Sequence, residues 1–159
     1  MATISEMRAR LLQMKNPQVI QEITAAAIQA TKSSYLFLQR DQLYQGKNAA
    51  GEDITPSYLN DPYFKDREAA QRYSDWKDEI TPDPRRKKGT PNIYITGFFH
   101  ETLDIFSEGS DIRFTVGIPD VVTKYGPTLL GLNPTSRAIY VDNVLNDTWL
   151  ELVKKQLNL

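Results

Sequence analysis

The sequence predicts an α+β fold: a long N-proximal helix, a short and mostly antiparallel sheet, and a C-terminal helix. Three observations predict it. Asn16-Pro17 and Asn133-Pro134 each open a stretch in which apolar residues recur every three or four positions; an N-cap residue followed by proline, whose fixed φ suits the first turn, is a helix start. At 112–116 the pattern switches to alternation, with Ile112, Phe114 and Val116 against Arg113 and Thr115, the period of a half-buried strand. Between these regimes, residues 81–91 hold three prolines, a glycine and four consecutive cations, which marks a loop.

In chain order, residues 3–15 carry Ile4, Met7, Leu11, Leu12 and Met14 at helical spacing, a short amphipathic helix. From Pro17 to about residue 40 a stripe runs through Ile20, Ile23, Ala27, Ala30, Ser34, Phe37 and Asp41. The small residues Ala25, Ala26 and Ala27 leave room for a second helix to approach, in the core or from a neighbouring subunit. Gly46 and Gly51 bracket a polar loop or irregular hairpin tip, and 55–64 is an extended, aromatic-rich stretch. Asp66 caps a helix from 67 to about 80 that presents Ala69, Ala70, Tyr73, Trp76 and Ile80. Ile93-Tyr94-Ile95 reads as a brief strand, and 103–107 pairs with 112–116 around Glu108-Gly109-Ser110. The last helix is expected from about 135 to 157, with Ala138, Val141, Leu145, Thr148 and Leu152 on one face.

At 159 residues the expectation is one domain, with 1–16 as an N-terminal arm or short helix and 81–91 as an exposed basic loop. A net charge of −1, from 19 basic and 20 acidic residues, excludes a globally basic nucleic-acid binder. With no cysteine there is no disulfide, thiolate nucleophile or sulfur-ligated zinc. Residues 1–16 interrupt their apolar positions with Glu6, Arg8 and Arg10, unlike a signal peptide, and no window reaches the ~20 apolar residues of a membrane span. A soluble protein with no membrane partner is expected.

The middle of the chain carries an ordered pattern: Gln42-Leu43-Tyr44-Gln45-Gly46 leading to Gly51-Glu52-Asp53-Ile54, then Pro56-Ser57-Tyr58, Trp76-Lys77 and the basic loop. Pro91-Asn92-Ile93-Tyr94-Ile95-Thr96-Gly97-Phe98-Phe99 comes next, then the hairpin, Lys124-Tyr125-Gly126 and the final helix. This order, over about residues 40–155, resembles the virion-morphogenesis and tail-completion proteins of tailed bacteriophages. Thr102 stands where that family usually places a serine, and Arg137 falls inside the last helix rather than before it. The resemblance implies a non-enzymatic, ring-forming head–tail connector or neck subunit without cofactor or metal. Its partners would be copies of itself, the portal or adaptor and tail proteins, and its place the virion, after assembly in the host cytoplasm. Such head-to-tail contacts close into rings when the subunit rotation permits.

The assembly candidates are Arg85, Arg86, Lys87 and Lys88, with Tyr63, Trp76 and Tyr94; the long helix and both termini are further surfaces for subunit contact. Four adjacent cations repel one another and require water or an anionic partner. A solvated tip, an acidic neighbour and DNA in a ring lumen all fit, the last with salt-dependent phosphate contact. Tyr58, Tyr63, Phe64, Tyr73 and Trp76 form an aromatic group suited equally to an interface or to packing within the chain. Core packing is the expectation for Phe98 and Phe99, and the lone His100 has no carboxylates at ligand spacing. Nucleophile elbow, phosphate loop and dinucleotide glycine patterns are absent. Asp75-Trp76-Lys77 precedes Pro82-Asp83 and Pro119-Asp120, the wrong order for a metal-dependent nuclease. A cytosolic adaptor binding protein through residues 58–94 is the alternative reading, and a small metal-dependent hydrolase the remoter one.

Overall fold

The computed structural model describes residues 3–109 and 111–159. The α+β expectation holds: helices frame one two-stranded antiparallel sheet, and a helix ends the chain. The packing forms two compact units, each discontinuous in sequence. Among the described residues no helix is long and apolar enough to cross a membrane.

The first unit comprises residues up to 35, 105–114 and 138–159. Helix α1 (Ile4–Gln13) starts at Thr3, whose hydroxyl accepts from Glu6 N while the Glu6 carboxylate accepts from Thr3 N, a reciprocal capping box. It buries none of its residues, and Ile4, Leu11 and Leu12 are exposed. Helix α2 (Pro17–Ala30) begins as expected, with Asn16 Oδ1 accepting from Gln18 N and proline in the first turn. It buries Ile23, Ala27 and Ile28 and packs against α8 (Asn146–Leu157), where Trp149 Nε1 donates to Thr24 Oγ1 at 3.2 Å. The small-residue seam thus meets a helix of its own chain.

The sheet pairs β1 (Asp104–Glu108) with β2 (Asp111–Thr115), and burial alternates along β2 as its side-chain pattern demands. Ser110 of the expected turn, and residues 1 and 2 of the expected arm, lie outside the described residues. Ser107 Oγ donates to Ala25 O at 3.2 Å, tying β1 to α2.

The expected helix over 17–40 is broken at Thr31, where φ −109° and ψ 12° leave the helical region, and it resumes as α3 (Lys32–Tyr44). The Thr31 hydroxyl approaches Ala27 O at 2.7 Å and Tyr140 OH at 2.7 Å. Back-bonding by a threonine bends a helix. The break shifts the phase of the apolar stripe. Phe37 is exposed, and α3 buries Tyr35, Leu36, Gln39, Gln42 and Leu43 instead. The C-terminal helix is likewise three pieces: α7 (Pro134–Tyr140), a π-helical turn over Val141–Leu145, and α8.

The second unit comprises 36–104 and 115–137. The loop after α3 closes with an isolated bridge between Lys47 and Asp53, whose side chains also pair at 2.7 Å. Gly46 takes φ +72°, and a Cβ there would lie 2.7 Å from Thr90 Cγ2, so the close approach of residues 46 and 90 requires glycine. Helix α4 (Arg67–Ile80) matches its expected bounds, with Asp66 Oδ1 accepting from Ala69 N. Its buried side is Ala70, Ser74 and Lys77, however, while Trp76 and Ile80 are each 42% exposed. The inner face instead meets the returning chain, with Lys77 Nζ donating to Tyr94 O and Ser74 beside Gly89. The unit is completed by α5 (Phe98–Thr102) and α6 (Pro119–Tyr125), neither legible as apolar stripes because each spans two turns or fewer.

Two buried glutamines of α3 hold the chain before α7. Gln39 Oε1 accepts from Gly131 N at 2.8 Å. Gln42 donates to Gly131 O at 2.9 Å and accepts from Asn133 N at 2.8 Å. The side-chain amides complete backbone groups that a neighbouring strand would otherwise satisfy.

Candidate functional site

The candidate residues lie together in the second unit, around α4, but the basic run does not act as one patch. The 81–91 loop is only partly exposed: Thr81, Arg86, Gly89, Thr90 and Pro91 are buried. Arg86, expected at an exposed tip, has a side chain 1% exposed. Its Nη2 donates to Asp78 Oδ1 and Thr81 O, each at 3.0 Å, and Nη1 to Thr81 Oγ1 at 3.2 Å. Arg86 Nε is buried with no hydrogen-bond partner among the described residues. Thr81 is the hub of this turn, since its hydroxyl also donates to Lys77 O and accepts from Asn92 Nδ2.

Arg85 is exposed but engaged. Its guanidinium grips Asp41 through both Nη atoms, at 3.1 and 2.9 Å, and Asp83 through Nε and Nη2, at 3.0 and 2.7 Å. The Arg85 hydrogen bonds hold the Asp83 carboxyl below the ordinary aspartate range. Lys87 and Lys88 are exposed and in no ion pair among the described residues. The run of four cations therefore resolves into two anchors and two projecting charges, because Asp41, Asp83 and Asp78 claim the arginines.

The five aromatics do assemble. Tyr63 meets Phe64 at 5.4 Å between centroids, Phe64 meets Tyr73 at 5.1 Å, and Tyr73 meets both Tyr58 at 5.0 Å and Trp76 at 5.4 Å. The tilted and edge-to-face geometries are those aromatic pairs prefer. One end of this ladder is core, since Tyr58 is buried; the other is open, with Tyr63 81% exposed and Trp76 beside it on the surface of α4. Lys124 Nζ pairs with the buried Asp61 at 2.5 Å and sits 5.7 Å from the Tyr63 ring centre, a cation–π contact.

Tyr94 is half-buried between Tyr44 (5.5 Å) and His100 (5.1 Å). Its segment is not a strand. Ile93 lies at φ +55°, a region a β-branched residue rarely enters, and side chains take up the backbone groups: Asn92 Oδ1 accepts from Tyr94 N at 3.2 Å, and Lys77 Nζ donates to Tyr94 O. Lys77 is buried, and desolvation, then the nearby Arg86 charge, pull its pKa down to about 8 against the opposing pull of Asp78.

A cleft of about 150 Å³ opens beside the ladder, lined among others by Tyr58, Tyr73, Ile95, Thr96, Phe98 and Tyr125. Gly97 at φ +87° turns its wall, where a Cβ would crowd the Tyr94 hydroxyl at 3.1 Å. Of the Phe98-Phe99 pair, expected in the core, Phe99 is buried while Phe98 is 50% exposed along this cleft. Short-helix geometry separates the two rings. Burial pushes the phenols of Tyr58 and Tyr73 up, and that of Tyr125 to about 12 with help from Asp61. The lining is therefore uncharged at neutral pH.

His100 is buried, with Nε2 3.0 Å from Asn92 O, and its own carbonyl accepts from Arg40 Nε at 2.6 Å. Desolvation, with the positive charges of Arg40 and Lys77, holds its pKa below 6.5 despite the Asn92 carbonyl. Because the unfolded chain binds a proton that the folded one refuses, stability should be complete above pH 6.5 and fall as pH drops through the folded value. The single histidine makes this measurable: its C2-proton NMR resonance should titrate below 6.5, and His100→Gln should flatten the acid limb of the stability profile. An ordinary titration would refute it.

Among the described residues no three carboxylate or imidazole side chains converge as a metal centre would need. Lys77, Gln39 and Gln42, none of them expected inside, share one signal: each polar residue sits on the inward stripe of its helix, as Ala70, Ser74, Lys77 and Thr81 do at steps of four, three and four. In comparisons with known proteins, no family model, curated protein or solved structure matches the chain.

Proposed function

We propose that this chain is a structural subunit of a tailed-bacteriophage particle, a ring-forming connector, neck or tail-completion protein joining portal to tail. One observation carries the assembling role: the aromatic ladder ends at the surface, with Tyr63 81% and Trp76 42% exposed. Exposed aromatic surface of this kind marks protein interaction sites, and Tyr and Trp dominate interface energetics. The ordered motifs between residues 42 and 126 supply the resemblance that supports a phage setting. The subunit would act by occupying a position between other proteins in the virion.

The test uses particles of the encoding virus. The chain should be recovered in purified virions in fixed copy number, and Tyr63→Ala with Trp76→Ala should lower its incorporation about tenfold or more, since truncating a central aromatic costs roughly 2 kcal/mol. Absence from virions, or substrate turnover by the purified chain, would overturn the proposal. The apolar cleft favours a second reading, an adaptor that seats an apolar side chain of a soluble peptide there; a persistent monomer that binds such peptides would support it.

A further inference from the structure

We infer that Lys87 and Lys88 of one copy dock on the Trp76–Glu79 face of α4 in a second copy, a contact that rests on the assembling role proposed above and names the surfaces that carry it. The two surfaces are complementary. Trp76 and Ile80 form an apolar pair on the outer face of α4, edged by Asp75 and Glu79. Glu68 is neutralised by Arg72 at 2.6 Å, whereas Asp75 receives only an amide hydrogen bond from Gln71 and Glu79 has no ion pair among the described residues. The face is therefore aromatic and net negative, and it lies at the helix C-terminus, where the backbone dipole adds to the negative potential.

The opposing surface is a short basic tip held in a defined shape. Arg86 roots it through Asp78 and Thr81, Arg85 is locked to Asp41 and Asp83, Thr90 N donates to Lys87 O at 3.1 Å, and Tyr58 N donates to Gly89 O at 2.9 Å. Two ammonium groups on such a tip lose little backbone entropy on docking. A lysine set over an indole with carboxylates alongside gains both cation–π and ion-pair attraction.

Geometry keeps the tip from the Trp76 side of that face within one chain. The loop is pinned on the Asp78 side of α4, where Gly89 lies against Ser74. At 3.6 residues per turn, Trp76 and Glu79 lie about 160° and 100° around the helix from Asp78, with Asp75 nearer at about 60°. The tip thus looks away from Trp76 and Glu79, and these find their basic complement on a neighbour. That is a heterologous contact.

The test is a charge swap on the full chain, read as mass by sedimentation velocity or native mass spectrometry. Lys87→Glu with Lys88→Glu leaves both surfaces acidic, and Asp75→Lys with Glu79→Lys leaves both basic. Each double variant should associate about tenfold or more weakly than wild type, whose own association should weaken with added salt. Mixing the two variants should restore assembly as alternating hetero-oligomers, which also proves both folded. If wild type forms oligomers that neither swap weakens, or if the mixture stays dissociated, the contact is wrong while the assembling role stands. A wild-type chain that remains monomeric overturns both.

Discussion

Replacing Arg86 with alanine should lower the unfolding free energy by about 3–5 kcal/mol, the cost of removing one partner from a buried ion pair. The guanidinium is 1% exposed and joins Asp78 to the Thr81 carbonyl and the Thr81 hydroxyl. Its loss leaves Thr81 O without that donor in a buried setting and opens a space the size of the side chain. Urea denaturation measures the effect, with Lys87→Ala as the neighbour that should change stability by less than about 0.5 kcal/mol. Arg86→Met separates the two causes: it refills the volume, so any loss that remains belongs to the hydrogen bonds and the charge of Asp78. A cost for Arg86→Ala below about 1 kcal/mol would mean that the loop is not anchored as described.

The second large effect is expected at Gln42. Gln42→Leu keeps the apolar bulk but orphans Gly131 O and Asn133 N, both completed by the Gln42 amide. An unsatisfied buried polar group costs about 1–3 kcal/mol, so a loss of about 2–4 kcal/mol in thermal or urea unfolding is the expected result. Gln42→Glu should fall between, because its carboxylate still accepts from Asn133 N but no longer donates to Gly131 O. Gln39 bonds the same segment through Gly131 N, so the double variant Gln39→Leu, Gln42→Leu should be non-additive. Strict additivity would show that the two amides act independently.

These sites explain how much the sequence disclosed. Asn16-Pro17, Asp66 and Asn133-Pro134 announced their helices because a cap is satisfied within three residues: Asn16 accepts from Gln18 N, Asp66 from Ala69 N and Asn133 from Ser136 N. The hairpin was equally legible, since alternation over 112–116 reports which side of a strand meets protein. Thr31 was silent, because a threonine in a helical stretch breaks it only when its hydroxyl and a distant Tyr140 combine to hold the bend. Ile93-Tyr94-Ile95 misled for the opposite reason: strand-forming side chains need a strand to pair with, and here Asn92 and Lys77 take up the Tyr94 backbone.

The candidate site divides in the same way. That Tyr58, Tyr63, Phe64, Tyr73 and Trp76 form one group was visible in their proximity along the chain; which end of the group faces solvent was not. The run of four cations was plain, but its split into Arg85 and Arg86 as anchors and Lys87 and Lys88 as free charges depends on Asp41, Asp78 and Asp83. By itself the sequence determined where the capped helices start, where the second strand alternates and which stretch must be a loop, because capping and turn formation are settled among near neighbours. Only the tertiary structure decided which polar residues are buried and which aromatics are left outside. Burial depends on what packs against each face, and pairs such as Arg85–Asp41 and Lys124–Asp61 join residues far apart in the chain.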